Sequence, residues 1–597
     1  MAFKHKFQWL FGLALLSLQA SRGADVFQSM DDLPEGVNYD FIIAGGGTGG
    51  SLVATRLAQN PNWKVLVIEA GISNEDFWET RVPAFWPLLW NTRMDWNFTT
   101  VPQTGLNNRA VNYPRAKILG GCSSHNAMIY TRGSKSEWDQ YAQLGGNAAL
   151  KWNTILPLLM KAEKWTRDAQ ALSDSGHYNP AFHGKTGQLS VQAPYMQHPF
   201  NNLLIQASQE LHSEFPFNLD WNDGTPIGTA WNQFTIDSMA QRSSAATAFL
   251  SHTSDNVHIL LNTQVTRVLP TAANSTDFRK VEFGPDATSL KQLTAKKEVI
   301  VSGGIFGTPS ILLHSGIGDR TELQAAGVPA IIHNPSVGKN LSDQVTVFVF
   351  FLPVVRKLNI RAIAMIKPRR SMNGTPHKPV PSRRLSPLNH MSFIRLPANA
   401  PPFSQEGFPD PTAGSDAAHV EFTFFQVGAP DPANGVDNST LQIYLSNVHP
   451  TSRGSVTISS SNPFDYPAID PGILGETADM SILREGFRSL RRYLSAPAFQ
   501  GVIYGSVVPP ANATSDEDLE AFLRSSASSW LHGVGSATMS PHGASWGVVD
   551  PDFRVKGTTG LRVVDASVIP RSPSAHTQAP TYGFAELASL MIAAQYH

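Results

Sequence analysis

The chain has 597 residues, with 46 basic and 47 acidic side chains and a formal net charge of -1. That balance excludes a nucleic-acid-binding protein that works through a global positive field, since such proteins neutralise phosphates with clustered Lys and Arg. Hydrophobic residues at 42% and aromatics at 10% are enough for a large core, which excludes disorder over most of the length.

Taken in chain order, the first feature is a leader. Lys4, His5 and Lys6 precede an apolar run from Trp9 to Leu18, then small and polar residues through Gly23 and Ala24. Positive start, short apolar centre and small-residue end read as a cleaved secretory signal over residues 1–23. The run is too short to span a bilayer, which takes about 20 apolar residues. Sequons at Asn97, Asn274, Asn340, Asn373, Asn438 and Asn512 fit a glycosylated, extracellular protein. Cys122 is the single cysteine. No intrachain disulfide is possible, and an unpaired thiol in a secreted protein is expected to be buried.

Residues 39–71 read YDFIIAGGGTGGSLVATRLAQNPNWKVLVIEAG. Asp40 to Ala44 predict a buried parallel strand, Leu52, Val53, Ala54 and Leu57 a helix, and Lys64 to Ile68 a second strand. Between them, Gly45, Gly47 and Gly50 form G-x-G-x-x-G. The first glycine permits the tight turn, the second lets backbone approach a pyrophosphate, and the third lets helix and strand pack closely. The helix N-terminus offers unpaired N–H groups to phosphate. Glu69, 19 residues beyond Gly50, is placed to accept hydrogen bonds from a ribose diol. The motif alone does not choose between NAD and FAD.

Further along stand RAKILGGCSSHNAMIYTRGS from Arg115, SGGIFGTPSILLHSGIG from Ser302 and NPSVGKNLSDQ from Asn334. The C-terminal stretch WLHGVGSATMSPHGASWGVVDPDFRVKGTTGLRVVDASVIPRSPSAHTQAPTYGFAE runs from Trp530. Together with the glycine motif, these segments resemble the glucose–methanol–choline (GMC) family of FAD oxidoreductases, from about Tyr39 to the C-terminus. Within it the chain is most like the branch of fungal pyranose dehydrogenases; aryl-alcohol oxidases share several segments. It departs from the family pattern at Cys122, where Gly, Ser or Thr is usual, at Ile305, where a small residue is usual, and at His125, where an aliphatic residue is usual.

The resemblance implies an α/β fold: a discontinuous Rossmann-like FAD-binding domain (36–165, 241–345 and 531–597) and a substrate domain (166–240 and 346–530) built on an antiparallel sheet flanked by helices. It implies FAD as cofactor, held by Gly45, Gly47, Gly50, Glu69, Asn126, Val265 and Asp565. Relatives with GGCSSHN carry a covalent histidyl–flavin bond, so His125 is expected either to bear such a link or to pack unlinked against the ring. The residues 257–269 read as one strand entering this domain. The resemblance also places His532 and His576 at the flavin as the catalytic pair.

The chemistry agrees with that placement. Oxidising an alcohol removes a proton and a hydride, and neutral imidazole, with an ordinary pKa of about 6.5, can take the proton. His532 would be the base and His576 the partner that holds the same oxygen. Gln426 is a candidate sugar contact, equally readable as a half-buried strand residue, with Trp530 and Leu531 lining the pocket. Aryl-alcohol oxidases carry aromatics where Leu106 and Leu531 stand, which favours a sugar over a stacked aryl substrate. His542 reads as structural. No metal motif is present.

Residues 354–388 hold nine Lys/Arg, no acid and five prolines. They fit a lid loop, a patch for an anionic partner, or an altered reading frame or splice. The main expectation is a secreted, extracellular enzyme, monomeric, that oxidises sugar hydroxyls to carbonyls and passes electrons to a quinone-type acceptor. It has no nucleic-acid or membrane partner. The alternatives are an aryl-alcohol oxidase that reduces oxygen, a redox-silent lyase, and a sugar-binding protein that has lost activity.

Overall fold

A computed structural model describes residues 23–167, 174–193, 199–353, 386–427, 430–431, 436–437, 440–510 and 512–596. Two large sheets organise the molecule. The first has six strands in the order Asp25–Phe27, Val257–Leu260, Val65–Ile68, Phe41–Ala44, Glu298–Val301 and Leu561–Val563. Every pairing in it is parallel. The sequence explains this: FIIA, VLVI and VHIL are short apolar runs buried at every residue, as a parallel sheet covered on both faces requires.

Helix Thr48–Leu57 connects the strands Phe41–Ala44 and Val65–Ile68 across one face. The C-terminal helix Gln578–Gln595 lies against it, tied by Arg56 Nη2 to Glu586 at 2.6 Å, a pair closed off from solvent. Thus the two ends of the chain complete one core, and the sheet receives its last strand from residues 561–563.

The stretch 257–269 is not one strand. Val257–Leu260 joins the parallel sheet, whereas Gln264–Leu269 belongs to a three-stranded antiparallel sheet with Lys280–Gly284 and Lys291–Thr294. Asn262, at φ +55°, breaks the extended backbone between them, in the left-handed region that asparagine tolerates.

The second large sheet is antiparallel throughout. Its order is Ile503–Val508, Val345–Pro353, Thr440–Asn447, Val420–Val427, Ser386–Ile394 and Gly228–Trp231, with Ser528–Ser529 pairing onto Val345–Thr346. Helix Thr477–Leu494 buries Phe487 and Leu490 in a separate core with Val420, Phe422 and Leu445 from this sheet. The pairing of Ser528–Ser529 with the start of strand Val345–Pro353 brings the 529–532 loop beside Asp343 and Gln344, which fixes the site below. Most of the basic stretch, residues 354–385, lies outside the described residues, as do residues 1–22 with the leader. Among the described residues, no helix is long and apolar enough to cross a membrane.

Candidate active site

A cavity of about 310 Å³ runs between the carboxyl ends of the parallel strands and the antiparallel sheet. It passes Gly45, Gly47, Glu69 and Val265 at one end and Trp530, His532 and His576 at the other. Crevices at the carboxyl ends of parallel strands are where such folds take nucleotides.

The three glycines are required for different reasons. Gly45 has φ +110°, and a Cβ there would sit 2.3 Å from the Ser302 carbonyl oxygen. A Cβ on Gly50 would sit 2.1 Å from the Gly45 oxygen. Gly47 is different: a Cβ would approach no protein atom closer than 3.8 Å. What needs that space is a group entering the cavity. No side chain caps the helix that starts at Thr48, so its first N–H groups remain for an anion. Glu69 accepts hydrogen bonds from Gly46 N at 2.8 Å and Gly71 N at 2.7 Å. Burial pushes its carboxyl up to about 7, against these two bonds and Lys117. A ribose diol donating to the remaining lone pairs would favour the carboxylate again. The cradle therefore fits the phosphates and ribose of a dinucleotide such as FAD.

Further along, His125 is buried in the cavity wall, with no hydrogen-bond partner on Nε2 and Asp95 Oδ2 3.8 Å away. Burial first, then Arg115 and Arg242, lower its pKa, against Asp95, so neutral imidazole is favoured. Asn126 is held inside the protein: it donates to Gln578 at 2.7 Å and accepts from Met128 N and Arg242 Nη1. Asp565 accepts from Gly304 N at 2.8 Å, Thr308 Oγ1 at 2.5 Å and Ser567, so it shapes the Gly303–Gly304 turn with both carboxylate oxygens occupied. Cys122 departs from the burial expected of it. It is half-buried and lines the cavity, its Sγ 3.8 Å from Arg115 Nη1.

At the far end the rings of His532 and His576 stand 4.3 Å apart between centroids, with Trp530 at 5.7 and 6.0 Å. His532 Nδ1 lies 2.7 Å from Gln344 Oε1. Desolvation, then the neighbouring His576 and Arg115, hold its pKa well below 6.5. His576 N donates to Thr131 Oγ1 at 2.7 Å, and its Nε2 meets Glu421 Oε1 at 3.2 Å. Glu421 is closed off from solvent, and its Oε2 has no hydrogen-bond partner.

The loop that carries His532 is held from below. Its N–H donates to Asp343 Oδ1 at 2.9 Å, Tyr113 donates to Asp343 Oδ2 at 2.6 Å, and Arg115 Nη2 donates to the Leu531 carbonyl at 2.5 Å. These bonds support Leu531 at φ +64°, a conformation disfavoured for a branched side chain.

Trp530 and Leu531 line the cavity, as does Phe425. Leu106 does not: it is buried in the core of the antiparallel sheet with Val111 and Leu474. Gln426 has its backbone in strand Val420–Val427, opposite Leu441; its side chain lies outside the described residues. His542 is exposed on a loop, 3.4 Å from Asp550. Of the sequons, Asn97, Asn274 and Asn512 are exposed, whereas Asn340 is engaged. Its amide donates to Thr538 and Pro570 and accepts from Arg453. Asn373 and Asn438 lie outside the described residues. Gln344, Glu421, Asp343 and Thr131 were not singled out by sequence. Gln344 closes NPSVGKNLSDQ and Glu421 opens EFTFFQVG, but neither residue type in those settings declares a histidine partner. Among the described residues, no group of three or more His, Cys, Asp or Glu could hold a metal ion.

Comparison with known proteins then places the chain. The family model described as GMC oxidoreductase matches in two parts, residues 39–346 and 450–585. The chain is 51% identical to a pyranose dehydrogenase of Agaricus campestris, over 98% of this chain and 99% of that one. It is equally identical to one of Agaricus xanthodermus, over 98% of each. Among solved structures, a formate oxidase superposes with a TM-score of 0.80 at 28% identity, covering 94% of this chain and 99% of that one. A fungal aryl-alcohol oxidase gives 0.77 at 26%, covering 94% and 99%.

Proposed function

Because the chain belongs to the GMC oxidoreductase family, as its two matched parts and its relatives show, we propose that it is an FAD-dependent enzyme that oxidises pyranose hydroxyls to carbonyls. The observation that carries the sugar reading is the 51% identity to pyranose dehydrogenases over nearly the full length of both chains. FAD, when bound, supplies the acceptor for the hydride. The chain's residues do the rest. Gly45, Gly47, Glu69 and Val265 line the nucleotide end, Gly50 packs behind it against the Gly45 carbonyl, and Asn126 and Asp565 shape the wall around it. His532, uncharged at neutral pH, takes the hydroxyl proton. His576, steadied by Glu421 and Thr131, holds the same oxygen. Trp530, Leu531 and Phe425 give apolar surface for the face of a sugar ring, and Gln426 is assigned to its hydroxyls.

In the same reading His125 would hold the flavin covalently at its 8α-methyl carbon, supported by its burial, its unpartnered Nε2 and its place in the cavity wall. Flavin that precipitates with acid-denatured protein supports this link; flavin left wholly in the supernatant contradicts it. Electrons leave to a quinone-type acceptor, and the monomer is secreted, with glycans at the exposed Asn97, Asn274 and Asn512. The nucleotide domain and substrate domain follow the two large sheets.

The deciding experiment mixes the enzyme with a panel of pyranoses and a benzylic alcohol, with benzoquinone or air as acceptor. Turnover of a pyranose with benzoquinone and little peroxide in air is expected. Preference for the benzylic alcohol with stoichiometric peroxide would make it an aryl-alcohol oxidase, and flavin that no alcohol bleaches would make it redox-silent.

A further inference from the structure

Gln344 is completely buried between the two loops that carry the histidines. Its Nε2 donates to the Pro573 carbonyl at 2.7 Å and to the Ala575 carbonyl at 3.0 Å. Its Oε1 lies 2.7 Å from His532 Nδ1. These three bonds fix the orientation of the amide. Carbonyl oxygens only accept, so they must face the NH₂ group. Turning the amide over would set its oxygen against two carbonyl oxygens and leave those acceptors without this donor, which is unfavourable in a buried setting. The oxygen is therefore the atom that faces His532. An amide oxygen cannot donate, so the proton of that bond must sit on Nδ1 of the imidazole. In a neutral ring this leaves Nε2 with the lone pair.

The same side chain spans both loops. Pro573 and Ala575 flank the turn that ends in His576, whose own N–H is held by Thr131. On the other side the Gln344 carbonyl accepts from Trp530 N at 2.8 Å, and the neighbouring Asp343 accepts from His532 N. One buried dipeptide, at the start of strand Val345–Pro353, thus sets the distance between the two rings.

We infer that Gln344 is a positioning residue that fixes the His532 proton on Nδ1 and holds the loops of His532 and His576 in register, so that Nε2 is the ring nitrogen that takes the substrate proton. The inference rests on the reading of His532 as the base. Without the amide, either nitrogen can carry the proton, and neither loop is tied to the other through this point.

The test uses holoenzyme labelled with [15N]histidine. Signals of His532 are identified by their absence from the His532→Ala holoenzyme. The wild type at neutral pH should show a protonated Nδ1 and an unprotonated Nε2. Gln344→Met keeps the length and apolar bulk of the side chain and removes the amide. It should show protonation at Nε2 in part or in full, with flavin retained and its reduction by a pyranose slowed at least tenfold. The loss should be smaller than in His532→Ala. A wild-type ring protonated on Nε2 overturns the inference, whatever the variants do. So does Gln344→Met with the wild-type tautomer and a reduction rate within twofold of wild type. If no pyranose reduces the wild-type flavin, the sugar reading fails, and the wild-type tautomer still decides the role of Gln344.

Discussion

The nucleotide end of the cavity and its histidine end are built on opposite plans. The first is largely one run of chain, from the strand Phe41–Ala44 through helix Thr48–Leu57 to Glu69, and its chemistry is backbone and empty space. The second draws single side chains from residues 131, 344, 421, 530–532 and 576, and its chemistry is in their mutual hydrogen bonds. A site made by local spacing tolerates no side chain where backbone must approach. A site made by long-range contact depends on pairs, so single changes there should weaken function by degrees and leave the fold intact.

The sharpest break between the two ends is expected at the glycines. Gly47→Leu should give a folded chain without flavin and hence without activity, because its side chain meets the cavity before it meets protein. Gly45→Ala should instead fail in the protein itself, since its Cβ collides with Ser302 and its φ is +110°. Flavin absorbance per protein beside the melting temperature separates them. Equal melting temperatures and equal flavin loss would erase the distinction.

At the other end, Glu421→Leu removes the partner of His576 Nε2. A charged hydrogen bond of this kind is worth roughly 1.5–3 kcal/mol, so flavin reduction should slow about 10- to 100-fold with the flavin still bound. An unchanged rate would show that His576 is placed by Thr131 alone.

The pH profile probes the same end. A base must be uncharged to work, and the His532 pKa lies well below 6.5 in the folded protein. The reduction rate should therefore hold level as pH falls through 6.5 and decline only at lower pH, as imidazole charges. A decline centred at or above 6.5 would contradict the desolvated, positively flanked setting of the ring.

This contrast also explains what the sequence could disclose. Strand, glycines, helix and Glu69 follow one another within a single βαβ unit, so their spacing is their geometry. The histidine pair came from family resemblance to the segments around it, and spacing alone could not have found it. Gln344 and Glu421 stand in segments with the right look, yet their roles depend on which side chains the antiparallel sheet brings opposite them. The burial of Leu106 away from the cavity is likewise decided by tertiary contacts that no local pattern contains.

The smallest expected effect concerns those leucines. Leu531→Phe should shift the ratio of pyranose to benzylic alcohol turnover, because Leu531 lines the cavity. Leu106→Phe should cost about 1–3 kcal/mol of stability by overpacking and leave the ratio unchanged. A shifted ratio in Leu106→Phe would bring that residue back into the substrate site.

Anaerobic stopped-flow reduction of the flavin by a pyranose, in wild type and in His532→Ala, addresses the assignment on which the rest depends. Wild-type flavin should bleach in a single turnover. The variant should retain its flavin and bleach about 10²- to 10⁴-fold more slowly, the usual contribution of a general base. Near-normal bleaching in His532→Ala would mean that the proton is taken elsewhere.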